Sequence, residues 1–198
     1  MIRLPLEQRR TMWKAGYGGI ESAIRYAAVE LELFLVCHGT DFEFDADDGQ
    51  RHYANFLAWA DSAMVGIDAA VRAAHDQALA DSWRELAKHP LRMLMRDSRN
   101  VALKGRNEVV GWEYTGDLGD EGWLLEMRFG PAFGSEWADA PVFGTSDDYL
   151  HWILEAAVPL LEKAITLGSA GSDSGEMSYP NADPWTPTDA VDLQRLMA

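Results

Sequence analysis

Apolar positions along the first hundred residues recur with a helical period. Pro5–Ala15 reads as a short polar helix, which the Gly16, Gly18, Gly19 cluster ends as a hinge. From Ile20 to Cys37, Ile20, Ala23, Ile24, Ala27, Leu31, Phe34 and Leu35 mark one face, and Tyr26, Val29, Leu33 and Val36 fill much of the other. A helix apolar nearly all round predicts a central position. The next periodic run, His52–Leu79, places Tyr53, Phe56, Leu57, Ala60, Met64, Ile67, Val71 and Ala74 toward a core, with Asp61, Asp68, Arg72, His75 and Asp76 on the other side. A short helix over Asp81–His89 and another over Pro90–Lys104 follow, divided by Pro90, which suits a first helical turn and not an interior one.

After Lys104 the period changes. Val110, Trp112 and Tyr114 alternate with Val109, Gly111 and Glu113, and Leu125, Met127 and Phe129 alternate with Leu124, Glu126 and Arg128. That is the mark of half-buried strands, and it predicts a β-hairpin pairing 107–115 with 123–130. Residues 131–146 predict a loop whose aromatics, Trp137 and Phe143, either meet a partner or tuck back onto the hairpin. Ser146 before Asp147 and Asp148 reads as the N-cap of a helix running to Leu167, kinked at Pro159. Beyond it, 169–198 is small, polar and Pro-rich, predicting a flexible tail that ends in a short helix over Thr188–Met197. The fold class expected is therefore mainly α: a four- to five-helix bundle over residues 1–168 with an inserted β-hairpin at 107–130 and a flexible C-terminal tail.

Charge changes this picture at one place. The chain of 198 residues carries 17 Lys and Arg against 32 Asp and Glu, a formal net charge of −15, yet seven basic residues crowd between Arg84 and Arg106 beside only Glu85 and Asp97. Arg84, Lys88, Arg92, Arg96 and Arg99 step by four, four, four and three, predicting a single basic stripe on helix. Such a stripe either meets an anion or is neutralised by carboxylates of neighbouring helices. The acidic field repels a nucleic-acid duplex at long range, which leaves a local site for one phosphate or a short single strand, at Arg92, Arg96, Arg99 and Lys104.

Other chemistries find little support. The lone Cys37 cannot form an internal disulfide and reads as a small buried residue of a reducing, cytoplasmic setting. No apolar run approaches the roughly 20 residues of a membrane span, so no membrane partner is expected. Asp45, Asp47 and Gly49 give part of a calcium-loop spacing without its glutamate, and Asp148 with His151 gives one D-x-x-H where a carboxylate-bridged site needs two; neither a metal nor a cofactor is expected. Glycine-rich phosphate loops, nucleophile elbows and paired cysteines do not occur.

The segment Arg96-Asp97-Ser98-Arg99-Asn100-Val101-Ala102-Leu103-Lys104 resembles the signature region of the HEPN superfamily, with Arg99 and Asn100 at the arginine and polar positions. The resemblance implies a helical bundle, a homodimer in which the two motifs meet, and membership of a prokaryotic defence or toxin–antitoxin type system in which many members are metal-independent ribonucleases. Arg99, Asn100 and Lys104 are then the catalytic candidates. Where the motif has histidine this chain has Lys104, Gly105 and Arg106, and a lysine of ordinary pKa near 10.4 is a poor general base at neutral pH. The expected role is therefore binding of RNA, a nucleotide or a protein partner by a degenerate site. The competing expectation is an acidic inhibitor, of antitoxin, immunity or anti-defence type, that presents its carboxylates to a basic protein without catalysis.

Overall fold

A 28-residue helix runs through the centre of the protein, and four of the other helices are laid against it. The structure, a computed structural model, describes residues 4–37, 46–103, 110–117 and 123–171. In order these form α1 (Leu6–Lys14), α2 (Gly18–Val36), α3 (Ala46–Ala73), α4 (Gln77–Leu86), α5 (Pro90–Leu103), β1 (Val110–Asp117), β2 (Trp123–Phe129), α6 (Val142–Trp152), a π-helical turn (Ile153–Ala157) and α7 (Val158–Gly171). The fold is mainly α. Lys104, Asp45 and the predicted Thr188–Met197 helix lie outside the described residues, while residues 169–171, expected in the tail, continue α7.

The central helix is α3, and not α2 as the all-round apolar pattern of Ile20–Cys37 predicts. Tyr53, Phe56, Leu57, Ala60, Ala63, Met64, Ile67, Ala70 and Val71 of α3 are all buried, and α2, α4, α5 and α7 pack on it. By contrast α2 buries one face, from Ile20 to Phe34, and leaves Tyr26, Leu35 and Val36 exposed. It comes up against α3 at Gly66, where an added Cβ would stand 2.6 Å from Ile20 Cγ1. The missing side chain is what lets the two helices meet there.

Several boundaries differ from the periodic reading. The run His52–Leu79 is two helices: α3 stops at Ala73, His75 takes a left-handed conformation (φ 52°), and the Asp76 carboxylate accepts from Leu79 N at 2.7 Å to start α4. Apolar periodicity continues across this break, so it conceals the cap. The predicted Asp81–His89 helix is correspondingly α4, which starts four residues earlier, at Gln77, and ends at Leu86. Later, α6 begins at Val142 behind Pro141, whose carbonyl accepts from Thr145 N at 3.1 Å. Ser146 is not a cap but a fully buried residue one turn inside. Pro159 has no N–H and its ring crowds the carbonyl four residues back, and the helix widens into the π turn immediately upstream.

β1 and β2 pair antiparallel, from Val110 opposite Phe129 to Tyr114 opposite Leu125, with an irregularity before Asp117. Phe129 N donates to Ala140 O at 3.0 Å and Asp139 N donates back to Phe129 O at 2.9 Å. This folds the 131–140 loop onto β2, and Trp137 and Phe143 pack against the core instead of standing free. Cys37, expected to be buried, is half-buried beyond the end of α2.

Gly66→Ala tests the α2/α3 contact. Helix propensity alone favours alanine by about 1 kcal/mol, but the overlap with Ile20 is expected to cost about 1–3 kcal/mol, so the variant should unfold at lower denaturant than wild type. In an Ile20→Ala background the same substitution should become neutral or stabilising, which chemical denaturation of the four proteins measures.

Candidate functional site

Because the chain breaks at residues 87–89, the five basic residues do not share one helix. Arg84 belongs to α4, Lys88 to the turn, and Arg92, Arg96 and Arg99 to α5. On α5 the buried side is Leu94, Met95 and Ser98, with Leu91, Val101 and Ala102 partly covered. That packing directs Arg92 and Arg99, seven residues apart, along the edge facing α3, α4 and α6.

Most of the cations already have an acid. Arg84 pairs with Asp81 at 2.7 Å, Lys88 with Glu85 at 2.7 Å, and Arg96 with its neighbour Asp97 at 3.5 Å. These pairs are exposed and each is worth at most about 1 kcal/mol. Arg99 reaches across to α3, where its Nη1 lies 3.3 Å from Asp61 Oδ2, both side chains about one-third exposed. Its Nε is buried without a hydrogen-bond acceptor among the described residues. Asn100 points to solvent.

Arg92 differs. Its guanidinium stacks 5.2 Å from the centre of the Trp83 ring, a cation–π contact. Trp83 is itself anchored, its Nε1 donating to Asp68 Oδ1 at 2.6 Å while Arg72 holds the other Asp68 oxygen at 2.8 Å. Beside Arg92, Tyr149 stacks on Trp152 at 5.5 Å, and Trp152 stacks on His89 at 5.1 Å. His89 Nδ1 is buried without a partner among the described residues. Periodicity places Tyr149 on the core side of its helix but singles out none of Trp83, His89 or Trp152; the four come from α4, the turn before α5 and α6, and no spacing along the chain joins them.

Burial pushes the Tyr149 phenol well above its usual value, with Arg92 opposing and Asp61 reinforcing the shift. One layer deeper, burial does the same to Tyr53, while the nearby Ser98 and Ser146 hydroxyls oppose it. Those hydroxyls are close but not aligned. Ser98 Oγ donates instead to Leu94 O at 2.9 Å, and Tyr53 Oη and Ser146 Oγ are buried without a partner among the described residues. Chemically, the cluster offers two guanidiniums, one counter-carboxylate and aromatic faces. It can hold an anion or a flat ring beside Arg92, while Arg99 is held by Asp61.

Other candidates separate. His151 Nδ1 lies against Asp147, 3.0 Å from its carbonyl oxygen and 3.5 Å from Oδ2, so the D-x-x-H of Asp148 and His151 is not a ligand pair. Among the described residues no three His, Cys, Asp or Glu side chains are grouped to hold a metal ion, and no helix is long and apolar enough to cross a membrane. An open groove of about 580 Å³ lies between α4 and α7, with Asp76, Ser82, Glu162 and Lys163 on its walls. It includes none of the basic candidates. No protein-family model, curated protein or solved structure matches this chain.

The buried phenols give a pH dependence with a definite sign. Unfolded, each ionises near 10; folded, each ionises higher. Their contribution to stability is therefore complete below pH 10 and is lost as pH rises above it, by about 1.4 kcal/mol per pH unit for each phenol. In a spectrophotometric titration, Tyr53 and Tyr149 should ionise only above the free-phenol range or together with unfolding, and Tyr53→Phe should remove one of these late-ionising phenols.

Proposed function

We propose that this protein is a HEPN-like helical domain that works by binding and not by catalysis, as a component of a prokaryotic defence or toxin–antitoxin type system. The observation that carries this reading is the ion pair between Arg99 and Asp61. An arginine that stabilises a phosphate in a transition state must present an uncommitted guanidinium edge to it. Here the motif arginine is shared with a carboxylate, and the sequence offers Lys104 in place of the imidazole that would move protons.

A protein partner suits the site better than RNA does. Arg84, Lys88, Arg96 and Arg99 each spend their charge on a nearby acid, so the net charge of −15 sets the field a partner meets, and a basic protein surface is drawn to it. The second reading, a site for a phosphate or nucleotide, has one observation in its favour. Arg92 has no carboxylate partner among the described residues and stands between Trp83 and the Tyr149–Trp152–His89 stack, a setting suited to a stacked base with a phosphate.

A labelled pool of single-stranded RNA, incubated with the protein in EDTA at low salt, separates these readings. No cleavage is expected, and Asp61→Asn should increase RNA retention by releasing Arg99. Metal-independent cleavage that disappears in Arg99→Ala would show a working nuclease and end the non-catalytic reading. Binding lost on Arg92→Ala would select the phosphate site over the protein partner.

A further inference from the structure

The open groove between α4 and α7 is lined mainly by apolar atoms. Leu79 and Pro159, buried and half-buried, line it. Leu167 stands on its α7 wall 42% exposed, although Leu160, Leu161 and Ile165 of the same helix are buried. The polar groups along it do not converge on a point. Asp76 is taken up in capping α4, 2.7 Å from Leu79 N. Ser82 Oγ donates to Ala78 O at 2.9 Å, and Thr166 Oγ1 donates to Glu162 O at 2.9 Å. An open trough between two helices, its hydroxyls turned onto their own backbone, suits a third helix lying along it better than a small polar ligand.

A segment with the right pattern follows α7 in the sequence. That helix carries the groove wall from Pro159 to Leu167 and ends at Gly171, and 27 further residues come after it. Within them Thr186-Pro187-Thr188-Asp189 is a helix-start signature: a threonine cap, proline at the first helical position and an acid at the third. Ala190, Leu193 and Met197 then step by three and four on one helical face, with Leu196 beside them, while Asp192, Gln194 and Arg195 fall off it. An isolated helix this short is marginal in water. It needs a surface on which to bury that face.

We propose that the α4/α7 groove is the docking site for the chain's own Pro187–Met197 segment. The dimensions agree. Pro159 to Leu167 extends about 12 Å and Pro187 to Met197 about 15 Å, at about 1.5 Å per residue. Fifteen residues, 172–186, join α7 to the segment, a reach of up to about 50 Å, whereas the far end of the wall lies only about 18 Å back along α7. The tether also supplies an effective concentration of about 1 mM, so a groove affinity of only about 0.1 mM keeps the segment docked about 90% of the time. Separate copies at micromolar concentration do not match that. Residues 172–198 carry five acids against Arg195 in a chain of net charge −15, so the contact is apolar and charge opposes it. The groove includes none of Arg92, Arg96 and Arg99, and the inference stands independently of the binding function proposed above.

Hydrogen–deuterium exchange of the full chain, read by mass spectrometry over residues 188–197, tests this. In wild type these amides should exchange about 10-fold more slowly than in an unstructured peptide of the same sequence, equally at low and at high micromolar protein. Leu193→Asp in the segment and Leu167→Asp on the exposed groove wall should each abolish that protection while the amides of α3 stay protected. Leu6→Asp on α1, a leucine 51% exposed, should leave it intact. Added salt screens the repulsion between acids and should preserve or strengthen the protection. The proposal is overturned if residues 188–197 exchange freely in wild type, or if their protection survives Leu167→Asp in a folded chain. Protection lost on dilution, which marks a segment docked on a second copy, or lost in salt, overturns it equally.

Discussion

The rest of the structure depends on α3 being buried along most of its length. Nine of its side chains, from Tyr53 to Val71, are in the core, and its neighbours on every buried side are other helices. Burying so much of one helix is favourable only if each neighbour approaches closely, since packing contacts fall off within an ångström. Gly66 against Ile20 marks how close that approach is. The positions of α4, α5 and α7 follow from the remaining faces of α3, and with them the placement of Arg92, Arg99 and Trp83.

Polar groups are organised around the same helix. Asp61 and Asp68 lie one above the other on the α3 side that meets α4 and α5, and between them they engage Arg99, Arg72 and Trp83. Glu21 plays a comparable part at the N-terminal end. Its buried carboxylate accepts from Arg9 Nε at 2.7 Å and from Trp13 Nε1 at 3.2 Å, tying α1 to α2. In each case an acid of this acidic protein is consumed in fastening helices together.

Helices with a one-sided apolar pattern were legible in the order of residues. The core positions of α3 and α5 follow directly from a 3.6-residue repeat, and so does the start of α5 at Pro90. What periodicity cannot see is a break that preserves the apolar phase. His75 and Asp76 interrupt the chain between Ala73 and Gln77, and only the Asp76 cap marks it. The same limit hid the start of α6, because Pro141 lies ahead of the more obvious Ser146. For the candidate site, Arg92, Arg96, Arg99 and Lys104 stood out as a basic cluster on composition alone, whereas the aromatic half of the cluster did not.

By itself, the sequence determined that this is a mainly helical protein, that its charge is strongly negative, and that its basic residues concentrate around α5. These are local properties: a repeat along one helix and a count of charges need no partner. Only the tertiary structure decided which helix is central, which face of α2 is left uncovered, and whether Arg99 is available. Each of those depends on residues far apart in the chain, Ile20 with Gly66, Tyr26 with Trp59, and Asp61 with Arg99. Their contacts are set by how whole helices pack, and no spacing within one segment encodes them.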